Sequence, residues 1–151
     1  MEEVNLSTKK LVSVVLVERP IEEVWGHWGK PESIRQWNIP FDDWHCPLVI
    51  NDLTEGGLFD FRMEQRNNHE GFNYRGIYHR IIPLECIEST GNGRNCIVEF
   101  QAIDDNTIVR ETFEPDTMVP FDLQQAFTDA VLMNFKKFVE KTQLSLGADQ
   151  Y

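Results

Sequence analysis

The sequence predicts an α+β fold, in which a curved antiparallel sheet is covered by one long C-terminal helix. Two patterns carry this. Between Trp44 and Phe113, short segments rich in β-branched and aromatic residues follow one another, separated by Gly, Asn, Asp and Pro. After them, Pro120 to Thr142 reads PFDLQQAFTDAVLMNFKKFVEKT, with no internal Gly or Pro and with apolar residues at helical spacing. The chain's 151 residues, 41% of them hydrophobic, suffice for one domain with a single core.

The elements follow in order. Thr8 to Val17, TKKLVSVVLV, is β-branched enough to be a strand. Pro20 opens a short helix whose first turn carries Glu22 and Glu23, at the end that favours negative charge. Ile21, Val24, Trp25 and Trp28 share its buried face, and Gly29 with Pro31 ends it. A second short helix spans Glu32 to Trp37. Neither is long enough to stand alone, so both must lie on the sheet. Trp44 to Asn51 is the next strand, and Pro47 within it points to an edge or a bulge. Gly56-Gly57 marks a turn. Leu58 to Gln65 then alternates, with Phe59, Phe61 and Met63 on one side and Asp60, Arg62 and Glu64 on the other. Further strands run from Gly71 to Ile82, Cys86 to Ser89, Arg94 to Ile103 and Thr107 to Phe113, with turns at Asn67-Asn68, Gly91-Asn92-Gly93 and Asp104-Asp105-Asn106. Centring the 91–93 turn on Asn92 pairs Cys96 with Glu88, which disfavours a disulfide to Cys86. In the last helix, Leu123, Phe127, Ala130, Val131, Phe135 and Phe138 form the apolar face. The expected domain is 8–142, with flexible termini at 1–7 and 143–151.

Charge excludes some functions. With 14 Lys and Arg against 25 Asp and Glu, the formal net charge is −11. Such a chain is a poor match for nucleic-acid phosphates and for anionic membrane surfaces. No apolar run is long enough to cross a membrane, and the polar start MEEVNLSTKK lacks the pattern of a secretory signal, so a cytoplasmic location is expected. The three cysteines, Cys46, Cys86 and Cys96, are odd in number and widely spaced, which predicts reduced thiols.

The chemistry-bearing residues form no pattern. His27, His45, His69 and His79 lack helix-ligand spacing and are read as polar surface, so no metal is expected. His45 and Cys46 are neighbours on a strand and point to opposite faces, which argues against a dyad. Neither a nucleophile elbow nor a phosphate-binding glycine motif occurs. Glu111 lies on a strand that could border a cavity, but is read as half of a surface ion pair with a neighbour.

A sheet bends where glycines and bulges let it curl, and a curved sheet and a straight helix need not fill the space between them. The aromatic residues are the natural lining of such a space. Trp37, Phe59, Phe61, Met63, Tyr74, Tyr78, Phe100 and Phe127 are the candidate ligand-binding residues, with tyrosine hydroxyls as polar handles. The competing reading is that all eight pack against one another as ordinary core.

One resemblance spans nearly the whole chain, from about Lys10 to Glu140. Pro20 with Val24-Trp25, Pro31-Glu32 with Trp37, Gly56-Gly57 with Phe59, Gly76 and Tyr78 with Ile82-Pro83, Thr112-Phe113, and Asn134-Phe135 with Glu140 occur in an ordered set. This set resembles the family named for the activator of the ninety-kilodalton heat-shock protein ATPase, within the helix-grip superfamily of START and birch-pollen-allergen-like proteins. Two places depart from its pattern. Phe127-Thr128 stands where the family often has Gly-Trp, and Asp52-Leu53-Thr54-Glu55 lacks the basic residue usual before the paired glycines. Both changes reshape a pocket, so a relative's ligand does not transfer.

The resemblance implies a helix-grip domain without a shared catalytic constellation; no cofactor is expected, and the chain is expected to be a monomer or weak homodimer. The resemblance also implies binding of a small hydrophobic or amphipathic ligand. Two alternatives stand beside this. One is an interaction module that assists a chaperone ATPase in a stress response. The other is an enzyme acting on a polyketide-like or aromatic substrate.

Overall fold

The computed structural model describes residues 9–149, with side chains up to Thr142. Seven strands form one antiparallel sheet: β1 (Leu11–Val17), β2 (Trp44–Asn51), β3 (Leu58–Gln65), β4 (Gly71–Ile82), β5 (Cys86–Gly91), β6 (Arg94–Ile103) and β7 (Asn106–Phe113). Two short helices, α1 (Ile21–Gly29) and α2 (Pro31–Trp37), follow β1, and α3 (Phe121–Asp149) ends the chain. The strand order is β1-β7-β6-β5-β4-β3-β2. The sheet is a half-barrel wrapped around α3, as the sequence predicts. The expected flexible segment 1–7 lies outside the described residues, as do the side chains of 143–151. The helical backbone of α3 runs on to Asp149.

The sheet's irregularities have local causes. β2 is an edge strand, and its register shifts between His45 and Leu48, around Pro47. A ring without an N–H cannot serve the ladder, so the strand bulges there. A second shift lies between Tyr78 and Arg80 on β4. The paired glycines occupy the β2–β3 turn. Gly56 has φ 83°, and a Cβ on Gly57 would stand 2.1 Å from the Asp52 carbonyl oxygen. The turn is tied to β4: Gly56 donates to the Tyr78 carbonyl at 2.8 Å, and the Tyr78 N–H donates to the Gly57 carbonyl at 3.0 Å. The glycines therefore seat a tight turn against β4, while the bulges and Gly76 relieve the sheet itself. Gly76 pairs with Gly91, and a Cβ on Gly76 would meet the Thr90 carbonyl oxygen at 1.9 Å.

One register differs from the sequence reading. Asn92 and Gly93 have φ 50° and 78°, so the β5–β6 turn has two residues, not three, and Gly91 pairs with Arg94. This is the geometry that matches the twist of a hairpin. Cys96 consequently opposes Ser89 rather than Glu88, and Cys86 opposes Glu99. All three thiols are free.

The helix α3 is fastened to β1 and to the segment after α2. Ser13 Oγ donates to Asp129 Oδ1 at 2.6 Å, Gln125 Nε2 to the Val12 carbonyl at 2.9 Å, and Lys136 Nζ to the Leu16 carbonyl at 2.7 Å. Asn134 Nδ2 donates to the Ile39 carbonyl at 2.5 Å. Its buried face is Val131, Leu132, Phe135 and Val139. Phe135 is wholly buried, with its ring centroid 4.9 Å from that of Trp28 and 4.8 Å from that of Trp37. Leu123 departs from the expected face: it is 63% exposed, although it borders the cavity described below.

Candidate functional site

Between the first half of α3, α2 and the concave side of the sheet lies a cavity of about 500 Å³. β3 supplies Phe59, Phe61 and Met63, which alternate inward as a strand requires. β4 supplies Phe72, Tyr74 and Tyr78; α2 supplies Trp37; α3 supplies Leu123, Phe127 and Val131. The Phe59 ring is central, with centroids of Tyr78, Tyr74 and Phe61 at 5.0, 5.2 and 5.3 Å. Gly76 and Gly91 make room for this layer: Cβ atoms there would strike the rings of Phe59 and Tyr74. Phe127 meets Trp44 at 5.7 Å and Phe72 at 6.0 Å.

Seven of the eight candidate residues thus border one space. Phe100 does not. It faces the other part of the core, against Trp25 at 5.1 Å and Trp28 at 5.7 Å. Tyr78 lines the cavity, but its hydroxyl is engaged, donating to Asn51 Oδ1 at 2.5 Å, while Asn51 Nδ2 donates to the Gly29 carbonyl at 2.9 Å. That chain ties β4 through β2 to α1, so the hydroxyl has a structural partner already.

The polar features of the cavity are Glu111, Arg94, Ser89, Asn38, Asn92, Asp116, Gln124 and Thr128. Glu111 corrects the sequence reading. It is 8% exposed, faces the cavity, and receives no hydrogen bond from the described residues. Burial pushes its carboxyl up to about 8, so the neutral acid dominates near neutral pH. The signal was available: Val109, Glu111 and Phe113 share one parity on β7, and that parity is inward. Burial likewise raises the Tyr74 hydroxyl and the Cys96 thiol, both on the cavity wall.

Histidine placement also differs from expectation. His27 is buried, with Nδ1 2.9 Å from Ser33 Oγ and its carbonyl accepting from Trp37 Nε1 at 2.9 Å. Burial, then the nearby Lys30, lowers its pKa and keeps it neutral. His45 and His69, far apart in sequence, both reach Glu64 Oε1, at 2.9 and 3.2 Å. Arg62 Nε holds the other oxygen at 2.9 Å. Arg62 first, then the two histidines, pull the Glu64 carboxyl down to about 2. No histidine lines the cavity, and among the described residues no serine, threonine or cysteine on its wall is hydrogen-bonded to a histidine.

A half-barrel sheet gripping a long helix around an aromatic-lined cavity defines a helix-grip domain. Residues 18–144 match the family described as "Activator of Hsp90 ATPase homolog 1-like protein", and the chain belongs to that family. Among solved structures, the AHSA1-like protein from Aeromonas hydrophila is 32% identical, with a TM-score of 0.83 over 90% of this chain and 95% of that one. Chr148 from Cytophaga hutchinsonii is also 32% identical, with a TM-score of 0.75 over 89% of this chain and 94% of that one. CV1439 from Chromobacterium violaceum, at 15% identity and a TM-score of 0.80 over 87% and 98%, shares the fold. No curated protein matches the chain. Among the described residues, no helix is long and apolar enough to cross a membrane.

Proposed function

We propose that the protein binds a small hydrophobic or amphipathic molecule in this cavity. The observation that carries the reading is the cavity itself. At about 500 Å³ it falls within the range of roughly 300–1,000 Å³ usual for ligand sites, which are mostly apolar with a few polar groups. Trp37, Phe59, Phe61, Met63, Tyr74, Tyr78 and Phe127 supply the apolar wall, and burying a ligand against them yields about 25 cal/mol per Å². Tyr74 and Glu111 are the groups placed to orient a polar end. The test is native mass spectrometry of gently purified protein, together with titration of an uncharged fluorescent apolar probe. A co-purified small molecule or saturable one-to-one probe binding supports the reading. Absence of both would overturn it.

A second reading is an interaction module that acts on a chaperone ATPase. The comparisons speak more directly to this one, since the matched family is described by its likeness to an activator of Hsp90 ATPase, a protein that acts on an enzyme. The net charge of −11 suits steering toward a basic partner. The two readings separate by salt. Association with such a partner should slow as salt rises, whereas probe affinity should change little, because burial rather than ion pairing supplies the attraction.

A further inference from the structure

We propose that His45, Glu64 and His69 form a binding site for a first-row transition cation of the Zn²⁺ class, outside the cavity. The three residues come from different parts of the edge: His45 from β2, Glu64 from β3, and His69 from the β3–β4 turn. Their donor atoms, one from each, all lie within 4.8 Å of one another. A tetrahedral ion with bonds of about 2.0–2.1 Å spaces its ligands by about 3.3 Å. That is close to the 2.9 and 3.2 Å from the two imidazoles to the carboxylate, so what an ion requires is that the imidazoles, within 4.8 Å of each other, draw together. Two imidazoles and one carboxylate are a donor set that suits such ions and leaves a fourth position open to solvent.

Several features hold the donors in place without an ion. Both imidazoles converge on a single oxygen, Glu64 Oε1, at 2.9 Å from His45 Nε2 and 3.2 Å from His69 Nδ1. Arg62 fixes the far oxygen, Oε2, at 2.9 Å, so Oε1 is the one presented to the histidines. The remaining nitrogens of Arg62 donate to the His69 carbonyl at 2.9 Å and to Asn73 Oδ1 at 3.2 Å, which locks the turn that carries His69. His69 itself has φ 60°, a left-handed conformation uncommon outside glycine, adopted here in the tight turn. A donor that hydrogen-bonds the carboxylate's other oxygen, as Arg62 does here, is a usual outer layer of metal sites. The positive charge of Arg62 opposes the ion, and the net charge of −11 works the other way.

An ion here would clip edge strand β2 to the β3–β4 turn. His45 is next to Trp44, whose ring packs against Phe72 and Phe127 at 6.2 and 5.7 Å. The clip would therefore stiffen the strand behind one cavity wall, though the site does not depend on what the cavity holds.

The test is calorimetric titration of the full chain, stripped with a chelator and dialysed free of it, with Zn²⁺ chloride. Co²⁺ absorption gives a second readout of the ligand atoms. Wild type should bind one ion, and its Co²⁺ spectrum should lack thiolate charge-transfer bands. His69→Asn keeps a residue that tolerates left-handed backbone and should bind at least about tenfold more weakly. His45→Ala should show a similar loss, and Zn²⁺ should raise the unfolding temperature of wild type more than that of either variant. Unchanged affinity in His69→Asn, thiolate bands in the Co²⁺ spectrum, or no saturable binding by wild type would each overturn the proposal.

Discussion

At the scale of single residues, Glu111 has the sharpest consequence. Its folded-state carboxyl is raised to about 8, from 4.5. The folded protein therefore holds a proton that the unfolded chain has released over that interval. The sign follows: this contribution is fully present below the unfolded value and is lost as pH rises toward the folded one. Between about pH 5 and pH 8 the loss has a ceiling of about 4 kcal/mol. Glu111→Gln is expected to flatten that part of the stability profile, measured by urea unfolding at a series of pH values. Equal slopes in both proteins would show that Glu111 titrates normally. Gly57 makes a steric prediction of the same kind. Its missing Cβ would lie 2.1 Å from the Asp52 carbonyl oxygen, and backbone cannot retreat as a side chain can. Gly57→Val should cost well over the roughly 1 kcal/mol typical of point substitutions, read as a lowered thermal midpoint.

At the scale of elements, α3 has two halves with different duties. Phe135 lies in the second part of the buried face, between Trp28 and Trp37, with no free surface. Phe135→Ala should cost about 3–5 kcal/mol by removing buried volume that the two indoles cannot fill. Phe127 lies two turns earlier, half-buried on the cavity wall against Trp44 and Phe72. Phe127→Ala should cost less stability and change probe affinity more. Equal stability losses with unchanged probe binding would place Phe127 in ordinary core. The edge strand β2 makes a similar division: its bulge at Pro47 interrupts the ladder while Trp44 and His45 remain paired with Gln65 and Glu64.

At the scale of the whole molecule, the apolar cavity and the acidic surface give separable responses. A saturating apolar ligand should raise the thermal midpoint, because it binds the folded state alone. The rise should persist at high salt. Thiol labelling offers an independent check. Burial raises all three thiols, Cys46 to about 11, but Cys86 is only partly buried, whereas Cys46 and Cys96 are buried. Labelling of the native protein should reach Cys86 first. Because Cys96 lines the cavity, its slow labelling should become slower still when an apolar probe is bound, and by a larger factor than that of Cys46, which lies off the cavity wall and responds only to the overall gain in stability.

The sequence by itself determined the elements, their order and the class of fold. Alternation in Leu58 to Gln65, the punctuating glycines and asparagines, and the uninterrupted helical period after Pro120 are local signals, set by backbone geometry and side-chain parity. The same parity placed Phe59, Phe61, Met63, Tyr74 and Tyr78 on one face. What local pattern cannot carry is which faces meet. Phe100 shares the inward parity of its strand, yet the curve of the sheet turns it toward α1 instead of the cavity. Glu111 is a charged residue by type, and its burial follows from its place on the inward face of β7, between the buried cross-strand neighbours Ser13 and Val98. His45, Glu64 and His69 carry no common spacing, because they are assembled by an antiparallel pairing and a turn. Hydrophobic period specifies an element's inward face, whereas curvature and strand order decide what that face looks onto.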